Sequence, residues 1–167
     1  YALIQDNATT RIKVKNNTLE QNSSIGVFVG ENKTTGIIYL KENEASIIDC
    51  EAAAMTNYCN VGGVAGINEG LIANKSSYES HSTDFSRNAV VGAAIKLEGA
   101  QYGSFGGVAG TNTGIIANCH VETNIDGNLG NESSGYGGIA GFNAYSSKDK
   151  YNDAKSARKD DNYKATI

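Results

Sequence analysis

A chain of 167 residues with a net charge of −4 has the length of one ordinary domain, and it shows no basic stripe with which to track nucleic-acid phosphates. With 20 Gly and 19 Asn but no Pro or Trp, it does not read as a flexible linker, where Pro and Ser usually join Gly. Tight corners and close backbone approaches suit it better, and no window holds the roughly 18 consecutive apolar residues of a membrane span.

In chain order, Arg11-Ile12-Lys13-Val14-Lys15 alternates as a strand does and turns at Asn16-Asn17. A worn copy of a motif follows at Val27-Phe28-Val29-Gly30-Glu31-Asn32, running on to Gly36-Ile37-Ile38. Ala45 to Met55 admits a helix, although its Ser-Ile-Ile-Asp-Cys centre is also strand-like. The first full motif is Gly62-Gly63-Val64-Ala65-Gly66-Ile67-Asn68-Glu69-Gly70-Leu71-Ile72-Ala73-Asn74. Ala89 to Leu97 reads as a strand closed by Glu98-Gly99. The second full motif is Gly106-Gly107-Val108-Ala109-Gly110-Thr111-Asn112-Thr113-Gly114-Ile115-Ile116-Ala117-Asn118. His120 to Ile125 alternates cleanly ahead of an expected turn at Asp126-Gly127. A half copy, Gly137-Gly138-Ile139-Ala140-Gly141-Phe142-Asn143, departs at Ala144. The polar stretch 146–167 reads as a tail or cap.

The motif starts are 44 residues apart (62 to 106) and then 31 (106 to 137). A fixed core with unequal spacing is how solenoids vary, with the differences placed in loops. The apolar runs are too short for helices and are bounded by glycines that fit sharp bends. The expectation is one all-β domain over 1–167, a parallel β-solenoid (β-helix) wound right-handed as strand twist and crossover chirality favour. Its repeat cores lie near 26–38, 62–74, 106–118 and 137–143, and each step between motifs holds either one coil or two. Stacked coils would place Asn68, Asn112 and Asn143 one above another, free to bond between rungs and to cap the turns.

The string Gly-Gly-Val-Ala-Gly-x-Asn-x-Gly-x-Ile-x-Asn resembles the GLUG motif of bacterial surface proteins, including non-catalytic regions of immunoglobulin A metalloproteases and large adhesins. The resemblance covers two full copies and one half copy. It implies a β-solenoid in an extracellular or cell-surface setting, and it does not imply protease activity, which resides in a separate domain of those proteins. The chain opens at Tyr1 without a signal-peptide pattern, so a piece of a longer protein is expected.

No arrangement of side chains reads as a catalytic, cofactor or metal site. His81 and His120 lack the His-Glu-x-x-His context of a zinc protease. Cys119 and His120 are adjacent, which on a strand sends them to opposite faces, Cys inward and His outward. Cys50, Cys59 and Cys119 are read as small core residues, with a Cys50–Cys59 disulfide as the alternative. No Lys-Ser or Lys-Thr follows the glycines, so they are not a phosphate loop. Asn124-x-Asp126-x-Asn128 has calcium-loop spacing but neither its Gly nor its closing Glu, which leaves a turn. Asp160-Asp161 sits in a polar tail with nothing to raise a carboxyl pKa. Six Asn-x-Ser/Thr sequons, at Asn7, Asn16, Asn22, Asn32, Asn74 and Asn131, are what an Asn- and Ser-rich repeat produces.

The aromatic residues gather near the motif starts, at Tyr58, Tyr102, Phe105, Tyr136, Phe142 and Tyr145. Stacking between coils is the plainer reading. A face of Tyr102, Tyr136 and Tyr145 offered to a glycan or protein is the functional one. Three roles follow: a stalk holding another domain away from the cell, an adhesive module whose inserts at 75–103 and 119–135 meet a host glycan or protein, or a subunit that self-associates through its open ends. Flanking domains of the parent chain are partners in each case, and nucleic acid is not.

Overall fold

The computed structural model describes residues 2–7, 12–16, 23–40, 45–53, 59–81, 89–98, 103–127 and 135–143. They form sixteen strands and one short helix. The strands are β1 (Ala2–Asn7), β2 (Ile12–Asn16), β3 (Ser23–Gly26), β4 (Val29–Asn32), β5 (Gly36–Leu40), β6 (Ala45–Ala53), β7 (Cys59–Gly62), β8 (Ala65–Asn68), β9 (Leu71–Asn74), β10 (Ala89–Glu98), β11 (Gly103–Gly106), β12 (Ala109–Asn112), β13 (Ile115–Ala117), β14 (Cys119–Gly127), β15 (Gly135–Gly137) and β16 (Ala140–Asn143). The helix, α1 (Lys75–Glu79), lies between β9 and β10.

The pairing is parallel throughout. Four sheets of four strands result, ordered β1-β5-β9-β13, β2-β6-β10-β14, β3-β7-β11-β15 and β4-β8-β12-β16. The chain therefore passes through the same four sheets in the same order four times. Parallel neighbours need a long crossover; here the crossover from one strand to its neighbour is the circuit through the other three sheets. One circuit fills each step between motifs, so two coils per step is excluded for the described residues.

Register explains the uneven spacing. Ala73 pairs with Ala117, so Asn74 and Asn118 occupy equivalent places. From Asn118 the chain enters β14 at once, whereas from Asn74 it runs through α1 and on to Ala89 before β10 begins. The extra residues of the 44-residue step thus sit between Asn74 and Ala89. The two asparagines differ accordingly. Asn74 is extended and caps α1, its Oδ1 accepting from the Ser77 backbone N–H at 2.9 Å. Asn118 takes φ 53°, a left-handed conformation that Asn tolerates better than most residues.

Several expectations are corrected. Residues 45–53 are strand β6 and not helix, because they pair along their length with β10 and over residues 48–52 with β2. Asp126-Gly127 is not a turn; Lys96 and Leu97 of β10 hold both residues in the ladder. The segments 75–103 and 119–135 are not loop inserts as wholes, since β10 and β14 lie inside them. The helical turn at α1 was not expected. The tail 146–167 lies outside the described residues, and β16 ends at Asn143, where the motif breaks off.

The core follows from alternation in β5, where Ile38 and Leu40 are buried between less buried neighbours. Ile38, Ile72 and Ile116 stack in register, and Val64 and Val108 from the glycine-flanked bends, with Ala65 and Ala109 at the starts of β8 and β12, join them. Each buried Ile, Leu or Val contributes about 1.5–3 kcal/mol relative to exposure, so the first and fourth sheets are fastened by this cluster.

Candidate functional site

The motif residues converge on two columns that run across the circuits. The first is an asparagine ladder. Asn32, Asn68, Asn112 and Asn143 are in register on successive strands of the fourth sheet. Asn32 Nδ2 donates to Asn68 Oδ1 at 2.7 Å, Asn68 Nδ2 to Asn112 Oδ1 at 2.7 Å, and Asn112 Nδ2 to Asn143 Oδ1 at 2.8 Å. Each of these three amides also caps the bend after its own strand or the next. Asn68 Nδ2, for example, lies 3.2 Å from both the Gly70 and Ile115 carbonyl oxygens. Asn68 is fully buried, and Asn32 and Asn112 nearly so. A buried amide left unpaired is costly, so an Asn at this position is tolerated only because the next turn supplies its partner. Asn32, in register with Asn68, adds a fourth rung.

The second column is glycine. A Cβ on Gly106 would stand 2.0 Å from the Ala109 carbonyl oxygen and 2.7 Å from Ala140 Cα in the next turn; Gly62 and Gly26 are enclosed in the same way. The following glycine of the last pair is different. Nothing lies within 4 Å of a Cβ at Gly138, and Val27 occupies the matching place in the first turn. Gly63 and Gly107 sit at this same bend, where Gly63 donates its backbone N–H to the Gly106 carbonyl and Gly107 donates to Gly138. Gly70 and Gly114 are required again, each with a carbonyl oxygen of the preceding turn 2.2 Å from its Cβ position.

Of the tyrosines proposed as a face, Tyr102 and Tyr145 lie outside the described residues. Tyr136 is 47% exposed and stacks on buried Phe105, ring centroids 5.6 Å apart. It ends the column Ile25, Val61, Phe105, Tyr136 of the third sheet. This is the stacking between turns that the plainer reading expected, and partial burial raises the phenol pKa. Phe142, 51% exposed on β16, is a second surface aromatic on the same last turn.

The cysteines and histidines divide as strand geometry requires. Cys119 packs against the core, its thiol 3.3 Å from the Ala117 carbonyl oxygen, and burial pushes its pKa up to about 12. Burial also raises Cys59, to about 11. His120 is exposed, 3.6 Å from Glu122, while His81 follows α1 at φ 52°. The side chain of Cys50 is outside the described set, as is any pairing it makes. Among the described residues no three His, Cys, Asp or Glu side chains gather in one place, and Asn124 and Asp126 lie on a strand. No helix among them is long and apolar enough to cross a membrane. Two sequon asparagines, Asn32 and Asn74, are buried with their amides engaged.

Ser24 is the one buried side-chain hydroxyl among the described residues without a hydrogen-bond partner. One turn further on, Asn60, its register partner, accepts a bond from Thr111 at 2.6 Å. The place of Thr111 in the turn before is taken by Ile67, which has nothing to donate.

Comparison with protein-family models, with curated proteins and with solved structures finds no match to this chain.

Proposed function

We propose that this chain is a non-catalytic stretch of extracellular parallel β-solenoid, wound right-handed, that serves as a stalk in a bacterial surface protein. The observation that carries the reading is the use to which the repeated residues are put. The asparagines bond from turn to turn, and most of the repeated glycines admit the neighbouring backbone, so the repeated residues are occupied in holding one turn against the next. The extracellular and bacterial parts of the reading rest on the resemblance of the motif to GLUG repeats.

A stalk of this kind grows by about 4.8 Å per turn, the spacing of neighbouring strands. Four turns therefore reach only about 19 Å, so length comes from further repeats or from joined copies. The test has two parts. Antibodies against the chain should label intact source cells, and the purified chain should give no saturable signal on glycan and matrix-protein arrays. Saturable binding that disappears in Tyr136→Ala would replace the stalk with an adhesive module, and labelling only after lysis would remove it from the surface.

A further inference from the structure

The glycine and asparagine columns repeat the same residue in every turn. Gly26, Gly62, Gly106 and Gly137 are paired in register, and so are Asn32, Asn68, Asn112 and Asn143. Such columns hold turns together but do not tell a neighbouring turn from the next but one. A stack of near-equal turns needs a further feature to set their order.

The second sheet carries one. On β14, His120, Glu122 and Asn124 are exposed, while Cys119 and Val121 are half-buried. Residues two apart on a strand share a face, so Asp126 belongs with Glu122 and Asn124. Register extends that face across the sheet. Asp126 pairs with Lys96, Lys96 with Glu51, and Glu51 with Lys15. The column through the four turns reads Lys15, Glu51, Lys96, Asp126, and its sign changes at every step. The column beside it starts the same way, Lys13 against Asp49, and continues through the uncharged Ala94 and Asn124. Neither column sets like charges on neighbouring strands. Skipping a turn would do so, with Lys15 against Lys96 if β2 met β10, and Glu51 against Asp126 if β6 met β14.

We propose that the column Lys15, Glu51, Lys96, Asp126 is a charge code that fixes the order in which the turns stack. Neighbouring strands lie about 4.8 Å apart, a distance at which opposite charges favour a pairing and like charges oppose it. The identical glycines and asparagines supply adhesion, and the alternating charges supply the order. The inference rests on the parallel pairing and is independent of the stalk reading.

The experiment is urea unfolding of the full 167-residue chain by circular dichroism, at low salt and in NaCl, with two variants that keep the net charge of −4. Glu51→Lys with Lys96→Glu keeps the composition of the column but sets like charges side by side at both of its ends. Lys15→Glu, Glu51→Lys, Lys96→Glu and Asp126→Lys together reverse every sign and keep the alternation. At low salt the double variant should lose about tenfold in its folding equilibrium constant relative to wild type, and about 1 M NaCl should close most of that gap by screening. The fourfold variant should stay within about twofold of wild type at both salt concentrations. A double variant as stable as wild type at low salt overturns the proposal. So does one whose loss persists in high salt, or that stays unfolded at every salt concentration. A fourfold variant that loses as much as the double also overturns it, because the identity of the residues and not their order would then matter.

Discussion

Removing the amide at the centre of the ladder should cost far more than removing it at the end. Asn68→Ala deletes the bonds from Asn32 and to Asn112, both 2.7 Å, and uncaps the Ile115 carbonyl. It leaves the Asn112 oxygen buried without its donor, while Asn32 Nδ2 falls back on carbonyl oxygens at 3.3 and 3.4 Å. A lost hydrogen bond is worth about 1 kcal/mol net, and a buried polar atom left unsatisfied about 1–3 kcal/mol. Together these give a loss of about 3–5 kcal/mol, a large share of the total stability of a domain. Asn143→Ala breaks the single ladder bond at an exposed residue, which is worth about 1 kcal/mol. Urea unfolding followed by circular dichroism compares the two directly, with the m-value checked because repeat arrays can lose two-state behaviour. Equal losses at Asn68 and Asn143 would refute the reasoning, since they would mean the ladder bonds carry no buried cost.

Other substitutions separate the columns. Gly106→Ala drives a methyl into the Ala109 carbonyl and should destabilise by about 3 kcal/mol or abolish folding, whereas Gly138→Ala should stay within about 0.5 kcal/mol of wild type by the same urea assay. Ser24→Ala removes the unpartnered buried hydroxyl and should raise the melting temperature, by the equivalent of about 1 kcal/mol; a fall would mean the hydroxyl is bonded. The thiols give a pH dependence. Cys119 and Cys59 are raised from 9.0 to about 12 and about 11, so their contribution is complete below pH 9 and is lost as the pH climbs through the folded values. Both thiols should also react slowly with a disulfide reagent at pH 8 until the protein is unfolded, and fast labelling of native protein would contradict their burial.

Much of this was legible in the residues because the repeat is a direct record of the stack. A Gly-Gly-x-Ala-Gly-x-Asn string at fixed offsets implies in-register columns, and the ladder from Asn68 to Asn143 was readable on that ground alone. Strands β2, β10 and β14 were visible as alternation, which a half-buried strand produces. What the residues concealed depends on partners far away in the chain. Ala45 to Met55 suits a helix locally, and its described part, residues 45–53, is a strand because β10 and β2 lie beside it. Asp126-Gly127 looks like a turn and is straightened by the same means. The helical turn α1 hung on Asn74 acting as a cap, and Asn118 at the equivalent place does not. Nor could the sequence distinguish the obligatory Gly106 from the permissive Gly138, since that difference lies in backbone proximity and not in spacing.

The claim on which the rest depends is that residues 36, 44 and 31 positions apart lie directly against one another along the ladder. Nuclear Overhauser spectroscopy of the isotope-labelled chain tests it. The account predicts cross-peaks linking the side-chain amides of Asn32, Asn68, Asn112 and Asn143 in that order, together with backbone contacts between Ile38, Ile72 and Ile116. Cross-peaks of antiparallel pairing, or none between Asn68 and Asn112, would contradict it.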